Sequence, residues 1–221
     1  MRKFDYINGN FKFLKKIKRI RPSGTRFDKI RLDKNEKSDN HSKFFFNNVL
    51  KKIKHHHLTA YPETEKVYDL ISKKIKIEKK SILITYGSDG GIRTCFDFFT
   101  KENDKIIYFE PTFAMVSIYS QIKKLKPIIF KYNKNFLINF ENVKKKIIKD
   151  KIRLIIFANP NSPTGNTFKN SDILELLKIC KEQKTYVIID EAYYGFYKNS
   201  FIKYLNKFKN LFILRTFSKS Y

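Results

Sequence analysis

A lysine placed directly after an apolar run is the first group in this sequence with a chemistry to offer. Leu211-Phe212-Ile213-Leu214 leads straight into Arg215-Thr216-Phe217-Ser218-Lys219. A strand here would deliver a small hydroxyl and one amine at its carboxyl end, the side of an open α/β sheet where ligands bind. A lysine partly removed from water at such a place gives up its proton readily and forms Schiff bases with carbonyl carbons. The chain holds 47 Lys and Arg, so a plain surface lysine is the competing reading. The choice rests on what else gathers at strand ends. Ser88 and Asp89 follow the apolar run 81–86, and Phe113 follows 105–109. Asn161 and Ser162 follow 153–157, and Asp190 and Tyr193 follow 185–189.

Those positions matter only if the runs are strands of one sheet. Helical spacing of apolar residues predicts helices over 42–54, 64–76, 139–149 and 171–182. Further helices are expected from Gly87-Ser88-Asp89-Gly90-Gly91 to about Phe99 and from after Phe113 to about Lys123, with a short one near 200–206. Strands are expected at 81–86, 105–109, 127–131, 153–157, 185–189 and 211–214. Regular alternation of the two predicts an α/β fold, a three-layer sandwich around a mostly parallel sheet. A strand running into a glycine-rich turn and then a helix presents backbone N–H groups to an anion. Residues 1 to about 40 are basic and irregular, broken by Pro22-Ser23-Gly24, with a short strand-like piece at Ile30–Glu36. The expected division is an N-terminal arm over 1–60 and a main domain over 61–221.

Composition narrows the function classes. The formal charge is +26, which suits a nucleic-acid or membrane-surface binder. Yet Phe, Tyr, Ile, Asn and Lys are abundant while Gly, Pro and Trp are scarce, and the lysines run along the whole chain. That is the amino-acid output of an AT-rich genome, and no specific nucleic-acid partner is expected. No uncharged apolar run reaches 18 residues, so no membrane span is expected, and neither is a signal peptide. A cytoplasmic protein follows from this reading. Cys95 and Cys180 stand in no metal-ligand spacing and read as buried thiols. His55-His56-His57 has no carboxylate cluster beside it, so no metal is expected.

Placed on one sheet edge, the candidate residues complement each other. Backbone N–H groups at 88–89, with the Ser218 hydroxyl, suit a phosphate. Phe113 offers a flat face for stacking. Asp190 can pair with a protonated ring nitrogen. Tyr193 and the polar Asn161/Ser162 turn can hydrogen-bond a phenolic oxygen, and Lys219 can take an aldehyde. Together these describe pyridoxal 5′-phosphate.

Seven motifs then appear in order: Leu-Asp-Lys-Asn-Glu at 32–36, Tyr-Pro-Glu at 61–63, Gly-Ser-Asp at 87–89, Pro-Thr-Phe-Ala-Met at 111–115, Asn-Pro-Asn-Ser-Pro-Thr-Gly at 159–165, Asp-Glu-Ala-Tyr at 190–193 and Arg-Thr-Phe-Ser-Lys at 215–219. In these the chain resembles the fold-type I, class I/II aminotransferases, and most closely histidinol-phosphate aminotransferase and its relatives. The resemblance implies a pyridoxal-phosphate-dependent transfer of an amino group between an amino acid or amino-phosphate and a 2-oxo acid. It implies that Lys219 carries the cofactor as a Schiff base and shuttles a proton. Asp190 would hold the ring nitrogen's proton, Tyr193 the ring oxygen, and Phe113 the ring face. Ser88, Asp89 and Ser218 would hold the phosphate. Tyr61 would reach the cofactor phosphate of a neighbouring subunit, which makes a homodimer the working unit.

Two departures stand out. The family usually has Asn where this chain has Ser162, which leaves the ring-oxygen contact open between Ser162 and Asn161. The family also continues past its lysine into a phosphate-binding arginine and a small C-terminal domain, so a truncated chain, inactive alone, is expected. The competing readings are a decarboxylase of the same fold, resembling threonine-phosphate decarboxylase, and an inactive fragment or basic binding module.

Overall fold

The structure, a computed structural model, describes residues 25–37, 39–197 and 199–219. Residues 1–24, the first part of the expected arm, lie outside the described residues. The rest fall into two compact units, Thr25–Thr85 and the residues from Tyr86 onward.

The first unit is helical. Helix α1 (Lys43–Lys52) starts at Ser42, whose Oγ accepts the Phe45 N–H at 3.2 Å, satisfying one of the donors a helix start leaves open. A single turn, α2 (His56–Thr59), carries two of the three adjacent histidines. Helix α3 (Glu65–Ile75) ends on Lys76 in the left-handed region, φ 56°. No three His, Cys, Asp or Glu side chains gather in a way that could hold a metal ion among the described residues.

Two expected strands are absent from this unit. Residues 30–32 join no sheet, and the turn expected to end that piece is a bend at 33–34, where Arg26 pairs with Asp33 at 2.7 Å and Glu36 at 3.1 Å. Residues 82–85 run beyond a short 3-10 turn (Lys79–Ser81) but join no sheet. The Ile84 N–H donates instead to the Tyr68 hydroxyl at 3.1 Å. An extended apolar segment becomes a strand only when a neighbouring chain takes its hydrogen bonds.

The second unit is built on five parallel strands: β1 (Lys105–Glu110), β2 (Lys126–Lys131), β3 (Ile152–Ala158), β4 (Tyr186–Asp190) and β5 (Leu211–Leu214). Their spatial order is β2-β1-β3-β4-β5. Parallel strands need crossover helices, which here cover both faces. Helices α6 (Phe140–Lys149) and α7 (Asn170–Glu182) lie on one face, and α4 (Gly87–Phe99) and α5 (Ala114–Ile122) on the other.

The strands read as continuous apolar runs because every second residue serves a different layer. Ile107, Phe109, Ile155, Val187 and Ile189 pack with Val143, Ile147, Ile173 and Leu176 of α6 and α7. Ile106, Tyr108, Leu154, Ile156 and Ile188 pack with Ile92, Phe96 and Val116 of α4 and α5. Each such side chain contributes roughly 1.5–3 kcal/mol by leaving water. This is the three-layer α/β sandwich that the alternation implies. Cys95 and Cys180 are buried and free, one in each layer. Burial pushes the Cys95 thiol up to about 12 and raises that of Cys180 as well. Among the described residues no helix is long and apolar enough to cross a membrane.

Candidate active site

The chain passes from β1 to β2 on one side and returns to β3 on the other. Such a reversal opens a crevice at the carboxyl ends of the strands. A cavity of about 210 Å³ lies at this edge, and every second-unit residue singled out in the sequence except Asn161 lines it.

One wall is the start of α4. Helices α1 and α6 close their first turns with the side chains of Ser42 and Asn139. Tyr86, at the corresponding place before α4, makes no side-chain cap. The positive end of α4, with Ser88 and Asp89 in its first turn, therefore faces the cavity. Gly87 makes this approach possible. Its φ of +68° favours glycine, and a Cβ there would come within 3.3 Å of Thr216 Oγ1. The helix start thus lies directly against the turn that carries Lys219. Asp89 Oδ1 accepts the Tyr119 hydroxyl at 3.0 Å, which ties this first turn to α5.

The floor is Asp190, at the end of β4 and only 6% exposed. Its Oδ1 accepts the Ala192 N–H at 3.0 Å. Burial pushes the carboxyl up to about 6; the Ala192 hydrogen bond pulls the other way, and the Glu191 charge adds to the rise. No cation is among the groups that set its proton affinity. A carboxylate buried without a cation fits a cationic ligand atom.

A stability prediction follows. The folded carboxyl holds its proton more tightly than the ordinary 3.8. Its stabilising contribution is therefore full below pH about 4 and lost as pH rises through about 6. Above that, keeping the charge buried costs on the order of 3 kcal/mol. Cofactor-free Asp190→Asn is expected to melt above wild type near pH 7 and to lose the decline between about pH 4 and 6. Thermal melts across that range check it. Equal declines in both proteins would show that the carboxyl is not the group responsible.

The other wall is the turn after β5. Thr216 Oγ1 accepts the Ser218 N–H at 3.2 Å and lies 2.8 Å from Ser218 Oγ. Lys219 Nζ stands 5.9 Å from the centre of the Tyr193 ring. Phe113 and Ser162 reach the cavity from the loops after β1 and β3.

Two candidates are placed differently. Asn161 is 2% exposed. Its Nδ2 donates to Pro111 O at 2.9 Å and Thr164 Oγ1 at 2.8 Å, and its Oδ1 accepts from Thr112 Oγ1 at 3.0 Å. The amide is thus engaged by Thr164 of its own loop and by Pro111 and Thr112 of the loop after β1, while Ser162 lines the cavity. Tyr61 belongs to the first unit, where it is 97% exposed. Sequence reasoning passed over Thr216, which lines the cavity, and the adjoining pair Glu191 and Arg215. The available signal was that each charge stands one residue past a strand that carries a site residue.

A parallel sheet between two helix layers, with a lysine and a buried carboxylate lining a cavity at its carboxyl edge, is an α/β fold with a crevice at its topological switch point. Comparison with known proteins gives the family: residues 28–221 match the profile of "Aminotransferase class I and II", and the chain belongs to that family. It is 32% identical over 212 residues to a histidinol-phosphate aminotransferase of Clostridium novyi, covering 94% of this chain and 59% of that protein. It is 38% identical over 184 residues to the one of Buchnera aphidicola subsp. Cinara cedri, covering 80% and 50%. Among solved structures, the histidinol-phosphate aminotransferase of Clostridium acetobutylicum superposes with a TM-score of 0.68 at 25% identity, over 79% of this chain and 52% of that one. The chain therefore spans roughly half the length of the relatives it matches.

Proposed function

We propose that the second unit is the cofactor-binding part of a pyridoxal-phosphate-dependent aminotransferase acting on an amino acid or amino-phosphate of the histidinol-phosphate type, with a 2-oxo acid as acceptor. The observation that carries this is the buried Asp190 without a cation, sharing one small cavity with Lys219 and the uncapped start of α4. Pyridoxal phosphate supplies an aldehyde for the amine and a ring that withdraws electrons from the carbon bearing it.

The residues present fit that group. The N–H groups of the first turn of α4 and the hydroxyls of Ser88 and Ser218 would hold the phosphate. Asp89 would serve through its backbone, since its carboxylate is held by Tyr119 and would repel a second anion. Asp190 would keep a proton on the ring nitrogen, the cation its buried carboxylate lacks. Phe113 would cover one ring face, and Tyr193 with Ser162 would face the ring oxygen. The Lys219 amine would bind the aldehyde and move a proton at the substrate carbon. Tyr61, exposed in the first unit, would serve a neighbouring subunit's phosphate in a homodimer.

The test supplies a form as long as the relatives with cofactor, histidinol phosphate and a panel of 2-oxo acids, and follows both amino transfer and carbon dioxide release. Amino transfer at the expense of histidinol phosphate is the expected result. Release of carbon dioxide from amino-acid substrates without transfer would overturn the aminotransferase reading in favour of a decarboxylase on the same fold.

A further inference from the structure

Two opposite charges stand one place beyond the two strand ends that carry the site, and neither lines the cavity. Glu191 follows Asp190 at the end of β4, and Arg215 follows Leu214 at the end of β5. The Glu191 side chain is fully shielded from solvent, and that of Arg215 is 24% exposed. Glu191 Oε1 accepts the Phe201 N–H at 2.8 Å and lies 3.1 Å from the Ser200 hydroxyl. Its Oε2 accepts Arg215 Nε at 3.1 Å and Nη2 at 3.0 Å, and lies 2.8 Å from Ser200 Oγ. Arg215 Nη2 also donates to Ser200 Oγ at 2.8 Å, and its guanidinium lies 3.6 Å from the centre of the Tyr194 ring. The Glu191 N–H donates to Leu214 O at 2.8 Å, so the side-chain pair begins where the ladder between the strands ends.

A shielded ion pair of this kind is a poor source of net stability, because desolvation offsets the attraction. What it supplies is direction. Two N–H groups of one planar guanidinium converge on Oε2 while the Phe201 N–H holds Oε1, so the carboxylate is fixed from both sides. That matters most at β5, a strand of four residues with a neighbour on one side only among the described residues. The turn that delivers Lys219 starts at the next residue, Thr216.

We propose that Glu191 and Arg215 are positioning residues: their pairing locks the Lys219 turn after β5 onto the end of β4, holding the amine in register with Asp190. The role in cofactor capture rests on the reading of Lys219 and Asp190 given above; the locking of the turn does not.

The test uses Glu191→Gln, which keeps the size and an acceptor for the Phe201 N–H but removes the charge. A second variant, Arg215→Lys, keeps the charge and loses the planar fork. In the cofactor-free chain, backbone hydrogen exchange at residues 216–219 is expected to rise about tenfold or more in Glu191→Gln, with the amides of β1 and β3 unchanged. The change should run the same way, and smaller, in Arg215→Lys. With pyridoxal phosphate added and borohydride used to fix it, the label found on Lys219 should fall about tenfold in Glu191→Gln. Unchanged exchange at 216–219, or faster exchange spread equally through β1 and β3, would overturn the proposal. If Glu191→Gln does not fold, the same exchange pattern in Arg215→Lys decides it. If wild type takes no label on Lys219, the cofactor reading fails, while the exchange comparison still decides the locking of the turn.

Discussion

Borohydride reduction in the presence of pyridoxal phosphate is expected to place the cofactor on Lys219 and on no other lysine, and Lys219→Ala is expected to abolish the label. The expectation is demanding because the chain is rich in competing amines, with 39 lysines in 221 residues. Chemistry alone does not single one out. Geometry does, since among the described residues Lys219 is the lysine that shares the small cavity with Asp190 and the start of α4. An exposed lysine reacts transiently and is not held, whereas one beside a phosphate site and a buried carboxylate gains both orientation and effective concentration. In a form as long as the relatives, turnover in the alanine variant should fall by at least about a thousandfold, since the group proposed to move the proton is gone. The labelled peptide is read by mass spectrometry. A label on another lysine, or one that survives in Lys219→Ala, overturns the assignment.

Asp190→Asn is the second large effect. In a form as long as the relatives, the variant is expected to keep the cofactor, because the proposed phosphate site and Lys219 are untouched, yet to lose about a thousandfold in turnover. An amide cannot hold a proton on the ring nitrogen as a carboxylate does. A loss of three orders of magnitude corresponds to about 4 kcal/mol at the barrier, at about 1.4 kcal/mol per tenfold. Cofactor binding followed by absorbance, with rate measured alongside, separates the two effects. Wild-type turnover in this variant would show that Asp190 has no part in the chemistry. Set beside its expected gain in cofactor-free stability, the same substitution would exchange activity for stability at one buried position.

Much of this was legible in the sequence, and the boundary of legibility has a physical cause. The strand Leu211–Leu214 and the helices from α4 onward stand within a residue or two of where apolar spacing puts them, because burial on both faces of a sheet writes itself into composition. Residues 82–85 carry the same apolar signature and form no strand, since periodicity records an exposed or buried face and not whether a neighbour exists. Asn161 and Ser162 are adjacent polar residues that sequence cannot rank. In the structure the Asn161 amide makes three hydrogen bonds, to Pro111, Thr112 and Thr164, while Ser162 lines the cavity. Glu191 and Arg215 lie 24 positions apart, and only the pairing of β4 with β5 brings them together.

The strand order also sets a sequence of events. From β3 onward the sheet grows in one direction, β3 then β4 then β5, in the order a ribosome makes them. Each addition is a non-local parallel pairing with a helical or looped detour, a slow kind of step in folding. Asp190 arrives with β4 but stands on an open edge until β5 docks through the Glu191 N–H to Leu214 O contact. The burial that raises its proton affinity, and the lysine that would share its cavity, therefore come with the same late step. Docking of β5 is what would bring Lys219 to Asp190, so stabilisation by a bound cofactor would reach only chains in which that docking is done.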